Sequence, residues 1–88
     1  MKLVFSALAW EEYVAWQAED RNVLERINAL IKESLHDQFC GTGKPEPLSG
    51  NLSGWWSRRI NREHRLVYRV TGSGEAQALE VAQCRYHY

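Results

Sequence analysis

The sequence contains few of the features that define small secreted or membrane-bound proteins. Its two cysteines, Cys40 and Cys84, stand far apart, without a Cys-x-x-Cys pair or a histidine at a spacing typical of zinc sites. We interpret them as separate reduced thiols, since disulfides are rare in the cytosol. No stretch approaches the roughly 20 apolar residues that a membrane helix requires, and no secretion signal is recognisable. These absences predict a cytoplasmic protein that contacts no membrane and uses no metal or other cofactor.

The sequence also lacks net charge, because 11 Lys and Arg residues balance 11 Asp and Glu residues. That balance alone argues against a nucleic-acid partner, but the charges are unevenly distributed. Residues 1–40 are mainly acidic, whereas residues 41–70 contain only Glu46 and Glu63 beside six cations: Lys44, Arg58, Arg59, Arg62, Arg65 and Arg69. This segregation predicts one basic face that can hold phosphate. A solvated surface of mixed charge is the alternative interpretation.

The residues that are present predict one compact domain over residues 1–88 that begins with a strand and two helices. The length allows a single core, to which four Trp and four Tyr residues can contribute. Lys2–Phe5 is typical of a short strand, and Ser6 and Asp20 are suitable N-caps for two successive helices. The second helix has an apolar stripe made of Val23, Leu24, Ile27, Leu30, Ile31 and Leu35. Because so few residues separate the helices, we expect an antiparallel hairpin.

The second half of the chain predicts strands. A loop rich in Gly, Pro and Ser covers residues 41–54, and three strand-like segments follow it: Trp55–Ile60, His64–Thr71 and Leu79 to about Tyr88. Turn residues near Asn61 and at 72–74 predict consecutive antiparallel hairpins. The order β-α-α-β-β-β therefore predicts an α+β fold in which a small antiparallel sheet packs against the helical hairpin.

Strand alternation predicts where the polar side chains meet. Arg59 and Arg65 fall on the face opposite the apolar residues of their strands, and continued alternation in the last segment puts His87 on the same face. The loop with Glu46 adjoins this face. Metal-free RNA cleavage by the 2′-hydroxyl needs a base, an acid for the leaving 5′-oxygen and a fixed cation for the phosphate. A carboxylate, a histidine and arginines can supply these functions, although structural salt bridges use the same residue types.

Longer motifs resemble one known family. The string GTGKPEPLSGNLSGWWSRRINREHRLVY, the terminal CRYHY and the opening MKLVFS with Trp10, Tyr13 and Trp16 resemble the YoeB (Txe/YoeB) toxins of the RelE superfamily over essentially the whole chain. The resemblance implies the RelE-like fold and an endoribonuclease that cleaves mRNA in the ribosomal A site of the 30S subunit. It also implies neutralisation by a YefM/Phd-type antitoxin and a tendency to form homodimers.

The resemblance also implies roles for individual residues. Glu46 in KPEPL corresponds to the general base, Arg65 in EHRLVY to the phosphate-stabilising cation and His87 in the terminal YHY to the general acid, with Tyr88 completing the site. Two further cations, Lys44 and Arg59, are implied to contact RNA phosphate. Ser49 departs from the family pattern, which often has a basic residue after KPEPL, and the near-neutral total charge departs from the basic character of the superfamily.

Two other functions remain open at this point. A non-enzymatic toxin similar to the gyrase-binding ParE group would use the same fold to bind a protein, but that group generally lacks the combination of Glu, Arg and His. A catalytically decayed relative would serve as a binding partner only. Among single residues, Glu63 is an alternative base but is more simply an ion-pair partner. The helical spacing of Trp10, Tyr13 and Trp16 favours core or dimer packing over base stacking.

Overall fold

The computed structural model describes residues 1–86, which form two helices and a five-stranded sheet. In chain order the elements are β1 (Lys2–Phe5), α1 (Ala7–Glu19), α2 (Arg21–His36), β2 (Glu46–Pro47), β3 (Trp56–Arg59), β4 (Arg65–Thr71) and β5 (Ala78–Gln83). The predicted α+β class with an N-terminal helical hairpin is therefore confirmed. No helix within residues 1–86 is long and apolar enough to cross a membrane.

The helices begin where the sequence predicts, because their first N–H groups find local acceptors. The Ser6 hydroxyl accepts a hydrogen bond from the Ala9 N–H at 3.0 Å. Asp20 ends α1 and begins α2, since its carboxylate accepts bonds from the N–H groups of Asn22 and Val23 at 3.0 and 3.2 Å. Each such cap stabilises its helix by about 1 kcal/mol. The two caps fix the hairpin that covers the sheet.

The sheet is mixed and not fully antiparallel. Its strand order is β1-β5-β4-β3-β2, with antiparallel pairing except between β1 and β5, which run parallel. The expectation of a fully antiparallel sheet was wrong at β1. Hairpin signals determine only how neighbouring strands pair, and β1 pairs with β5, near the other end of the chain. The sequence also did not predict β2, which contains Pro47. A proline is tolerated there because β2 is an edge strand.

The core lies between the helical hairpin and one face of the sheet. Buried side chains of both helices meet those of the sheet, with the following members fully or almost fully excluded from solvent: Ile27, Leu30, Leu66, Tyr68, Leu79 and Val81. Ile60 and Leu66 belong to this face, as the alternation predicts. The opposite face of β3 and β4 is thereby left for polar side chains.

The Arg58 side chain lies on the core side of β3 and is fully excluded from solvent. Its guanidinium and Nε donate to the Tyr68 hydroxyl and to three loop carbonyls, those of Asp37, Cys40 and Thr42. Glu33 adds a carboxylate oxygen 3.8 Å away. A buried charge is tolerated only when its donors are satisfied in this way. The prediction that the second-half cations share one basic face was therefore wrong for Arg58, which ties residues 37–42 to the sheet.

The last strand is shorter than predicted. Strand β5 ends at Gln83, whereas the sequence predicted a strand to about Tyr88. Tyr86 has a left-handed backbone conformation with φ +63°, which is incompatible with a continuing strand. Alternation cannot be extended to His87 for this reason, and the predicted site residues His87 and Tyr88 lie outside the described residues.

Candidate active site

Glu46, Arg59 and Arg65 lie on the sheet face that points away from the helices. Glu46 pairs with Ser57, and Arg59 pairs with Arg65, two residues further along the same strand β3. Side chains at these positions share one face because alternate residues of a strand point the same way. The two paired positions are separated by roughly 7 Å along β3. The structure thus brings the predicted carboxylate and two predicted cations to one surface.

A row of residues with a buried middle lies beside these charged groups. Val67 pairs with Ser57 on one side and with Gln83 on the other, so that Glu46, Ser57, Val67 and Gln83 form one row across four strands. Ser57 and Val67 are each 1% exposed, while Glu46 is exposed. Because other protein atoms already cover Ser57 and Val67, a phosphate bound at the edge of this row would lie beside a desolvated region, where electrostatic interactions are stronger.

The loop that carries Lys44 and Glu46 is fixed against β3 by its glycine. The Arg59 N–H donates to the Gly43 carbonyl at 2.7 Å. Gly43 has φ +86°, and a Cβ atom there would lie 3.1 Å from the Cβ of Arg58, the carbonyl of Arg59 and the side chain of Leu30. Only glycine adopts this positive φ and fits this narrow space without strain. Lys44 follows with φ +51° and an exposed side chain.

Arg65 is held by the turn that precedes it. Its Nη1 donates to the carbonyls of Asn61 and His64 at 2.8 and 3.1 Å. Asn61 in turn accepts the N–H groups of Glu63 and His64 through its side chain, which closes the turn. A guanidinium that is already anchored loses little freedom when it binds an anion. Glu63, the alternative base, is exposed in this turn.

Four arginines surround an open pocket of about 470 Å³ at the end of β3. The lining residues are Arg26, Arg59, Ile60, Asn61, Arg62 and Arg65. The sequence analysis did not identify Arg26, whose Nη2 donates to the Arg59 carbonyl at 3.1 Å. The helical spacing could have identified Arg26. It follows Val23 by three residues and precedes Leu30 by four, which places it on the side of α2 that faces the sheet. The pocket suits phosphate, which arginine binds through two donors at once.

Two other arginines, Arg69 and Arg85, bind carboxylates outside the pocket. Arg69 forms an ion pair with Glu80 at 2.7 Å and lies 4.4 Å from the ring centre of Trp55. The hydrogen bond from Arg69 lowers the pKa of Glu80. Arg85 pairs with Glu19 through two bonds of 2.7 and 3.0 Å, which lower the pKa of that carboxyl. Neither arginine lines the pocket, and the charge of Arg69, which the sequence analysis counted in the basic face, is balanced by Glu80.

The segment Cys84–Tyr86 is fastened to α1 and to the start of β4. The Cys84 N–H donates to Glu12 at 2.8 Å, and its carbonyl accepts from the Trp16 indole at 3.0 Å. Burial raises the pKa of the Cys84 thiol to about 12, which makes the thiol unreactive. The Tyr86 N–H donates to Nδ1 of His64 at 2.7 Å. These contacts fix the chain up to the residue before His87, and no short-range motif signals them.

The described residues bring together a carboxylate and cations, and no group of three or more His, Cys, Asp or Glu side chains within residues 1–86 could hold a metal ion. The arrangement can hold a phosphodiester against the arginines and present an exposed carboxylate beside it. A proton donor for a leaving group has to come from another part of the chain or from a partner.

Comparison with known proteins gives consistent matches over nearly the whole chain. The family profile for the YoeB-like toxin of bacterial type II toxin-antitoxin systems matches residues 5–88. Toxin YoeB of Escherichia coli K12 is 52% identical over 88 residues, covering 100% of both chains. The solved YoeB/ParE toxin from Agrobacterium tumefaciens is 55% identical with a TM-score of 0.96, again over 100% of both chains.

A third relative was solved in two assemblies. YoeB from Staphylococcus aureus is 42% identical and covers 100% of this chain and 98% of its own. It superposes with a TM-score of 0.88 as a dimer and 0.87 in a heterotetrameric complex of YoeB with YefM.

Proposed function

The chain belongs to the family of YoeB-like toxins of bacterial type II toxin-antitoxin systems, and on this premise we propose that it is a ribosome-dependent endoribonuclease. In this proposal residues 1–88 act as one cytoplasmic domain that cleaves mRNA in the A site of the 30S subunit and thereby inhibits translation. The observation that carries it is the placement of Glu46, Arg59 and Arg65 on one face beside a pocket lined by arginines.

The proposed chemistry is an attack of the 2′-hydroxyl on the neighbouring phosphate without a metal. Glu46 accepts the 2′-proton, and Arg65 stabilises the additional charge on the phosphate in the transition state. His87 protonates the leaving 5′-oxygen, and Tyr88 completes the site. The products are a 2′,3′-cyclic phosphate and a 5′-hydroxyl. The exposure of Glu46 and the anchoring of Arg65 by its turn support these two assignments.

RNA binding is proposed to use the cations around this face. Lys44 follows the glycine anchor, while Arg59 and Arg26 line the pocket together. Ser49 stands where the family often has a basic residue. Because serine has no charge, we expect a weaker contact with RNA phosphate at this position. Binding through phosphates makes the affinity fall as salt rises.

We propose that a YefM/Phd-type antitoxin neutralises the protein. The relative from S. aureus forms a heterotetramer with YefM, and the arginine pocket is suited to an acidic segment that folds on binding. Charge reversal at Arg59 or Arg65 should therefore weaken antitoxin binding, and so should high salt. Binding that is insensitive to both changes would indicate a mainly apolar interface.

A homodimer is proposed from an exposed apolar surface on α1 and β1. Leu8, Trp10 and Val14 are each about half exposed, as are Leu3 and Val4. Trp16 is buried in the core, so the predicted packing role holds for this residue, whereas Trp10 stacks on Tyr13 at the surface. The relative from S. aureus was solved as a dimer.

The proposal is tested by single-turnover cleavage of mRNA on programmed ribosomes with saturating enzyme, which separates the chemical step from ribosome binding. We expect cleavage in the presence of a chelator, resistance of a substrate with deoxyribose at the cut site, and a loss of about 100- to 10,000-fold in His87→Ala. Arg65→Ala should lose a similar factor.

Glu80→Gln is the matched control, because Glu80 lies in β5 and pairs with Arg69 outside the pocket. A His87→Ala protein that cleaves at the wild-type rate contradicts the acid–base assignment. Toxicity in cells without any cleavage on ribosomes would instead favour the ParE-like function, in which the fold binds a protein.

A further inference from the structure

His64 has a defined position between the described tail and the candidate catalytic face. It directly precedes β4 and is 7% exposed. The Trp16 ring lies edge-on to the imidazole with centroids 4.8 Å apart, and the Tyr86 ring lies on another side at 5.5 Å. The imidazole is therefore fixed in orientation by aromatic neighbours from α1 and from the tail.

The hydrogen bond of His64 specifies one ring atom. Nδ1 accepts the Tyr86 N–H at 2.7 Å. An accepting Nδ1 requires the neutral imidazole with its proton on Nε2. Tyr86 has a left-handed backbone with φ +63°, a conformation that a residue with a Cβ retains only when surrounding contacts impose it. The His64 bond is one of these contacts.

The second contact comes from the next residue. The Arg65 N–H donates to the Tyr86 carbonyl at 3.1 Å. Both backbone polar groups of Tyr86 are thus bound by two consecutive residues, 64 and 65, and the second of these carries the proposed phosphate-binding guanidinium. The backbone position of Tyr86 is consequently tied to the position of Arg65.

We propose that His64 is a positioning residue for catalysis: through the Nδ1 bond to the Tyr86 N–H it holds Tyr86, the residue that precedes the proposed acid, in place relative to Arg65. This inference rests on the proposed function, because it assumes that His87 acts as the acid. His64 itself transfers no proton and touches no substrate in this proposal.

The test replaces His64 with side chains that each place an oxygen near one of the two ring nitrogens. In His64→Asn the amide oxygen occupies nearly the position of Nδ1, whereas in His64→Gln it corresponds to Nε2. Single-turnover cleavage on programmed ribosomes is measured over a range of enzyme concentrations. We expect His64→Ala and His64→Gln to lower the maximal rate by about 10- to 100-fold with an unchanged half-saturating concentration. His64→Asn should restore the rate to within about threefold of the wild type.

A double-mutant cycle with His87 separates positioning from a general loss of structure. If His64 acts only through the terminal residues, adding His64→Ala to His87→Ala causes no further loss. A further loss of tenfold or more would overturn the proposal, and so would a wild-type maximal rate in His64→Ala or equal rates in the Asn and Gln variants. If His64→Ala does not fold, the Asn and Gln pair still decides the question.

Failure of the underlying function gives a different result. In that case either the unsubstituted protein cleaves no mRNA on programmed ribosomes, or His87→Ala alone leaves the rate unchanged, whatever the His64 variants do. Melting temperatures of all variants are recorded beside the rates, with Glu80→Gln as the variant remote from the tail.

Discussion

Arg58 and Arg59 are neighbours in the sequence, yet the first is completely buried and the second is exposed beside the arginine pocket. Alternation along β3 accounts for the two directions. Charge counting cannot distinguish them, because the acceptors that make burial of Arg58 tolerable are loop carbonyls brought in by the tertiary structure. The two residues therefore have separate experimental consequences.

Arg58→Met should destabilise the fold. The substitution removes the donors to the buried Tyr68 hydroxyl and to three partly buried loop carbonyls, and each buried polar group left without a partner costs about 1–3 kcal/mol. We expect the free energy of unfolding to fall by about 3 kcal/mol or more, measured by urea denaturation. Arg69→Met removes an exposed ion pair and should change stability by less than about 1 kcal/mol. Equal midpoints for the two variants would show that Arg58 has no special structural role.

Arg26→Gln should weaken RNA binding without slowing chemistry. Arg26 lines the pocket but belongs to α2 and not to the strand that carries Arg65. Loss of one phosphate contact should raise the half-saturating concentration and reduce the slope of log affinity against log salt by about 1, with an unchanged maximal rate. Arg21→Gln, at the start of the same helix and outside the pocket lining, is the control. A reduced maximal rate in Arg26→Gln would assign the residue to the chemical step.

At the scale of elements, the segment between α2 and β3, which contains β2, has two glycines that differ in how closely other atoms surround them. Gly43 is packed against Arg58, Arg59 and Leu30, whereas a Cβ at Gly50 would meet nothing within 4 Å. Both have positive φ, +86° and +63°. The pair therefore allows steric displacement of the loop to be separated from backbone strain alone.

Gly43→Ala should impair cleavage more than Gly50→Ala. The added methyl group pushes the segment with Lys44 and Glu46 away from β3, in addition to left-handed strain of about 1–2 kcal/mol that both variants share. We expect a lower maximal rate only for Gly43→Ala, compared under the single-turnover conditions described above. Loss of activity of the same size in both variants would show that strain, and not loop position, is responsible.

The elements that the sequence predicted are those with local causes. Ser6 and Asp20 cap helices within three residues of themselves, and the stripe on α2 has a period that any helix would show. The parallel pairing of β1, the end of β5 at Gln83 and the burial of His64 depend on contacts between distant parts of the chain. The charged face was predicted in part, since Arg59 and Arg65 follow from alternation. Arg26 joins them only through the packing of α2 on the sheet.

At the scale of the whole molecule, three carboxylates on different elements bind partners outside their own element. Hydrogen bonds from Arg85, from the Thr42 N–H and from Arg69 lower the pKa values of Glu19, Glu33 and Glu80, respectively. Burial raises the pKa of Glu12, which works in the opposite direction. A carboxyl whose pKa is lower in the folded chain stabilises the fold above its unfolded value and loses this contribution as pH falls through the folded value.

Acidification should therefore destabilise the protein below about pH 4.5, the ordinary value for all three groups. Melting temperatures between pH 7 and pH 3 check this expectation. The triple variant Glu19→Gln, Glu33→Gln, Glu80→Gln should show a weaker decline in that window, because glutamine cannot take up the proton. Parallel curves for the variant and the parent protein would mean that other groups govern the acid response.

The parallel pairing of β1 with β5 has a consequence for synthesis of the chain. Strand β1 is made first but cannot complete its hydrogen bonding until β5 has been made, and residues 84–86, which anchor to α1, follow later still. Chains emerge from the ribosome with the N-terminal part first, and contacts between the two ends of a chain form slowly. The nascent polypeptide therefore cannot complete its sheet, or anchor residues 84–86 to α1, until almost the whole chain has been synthesised.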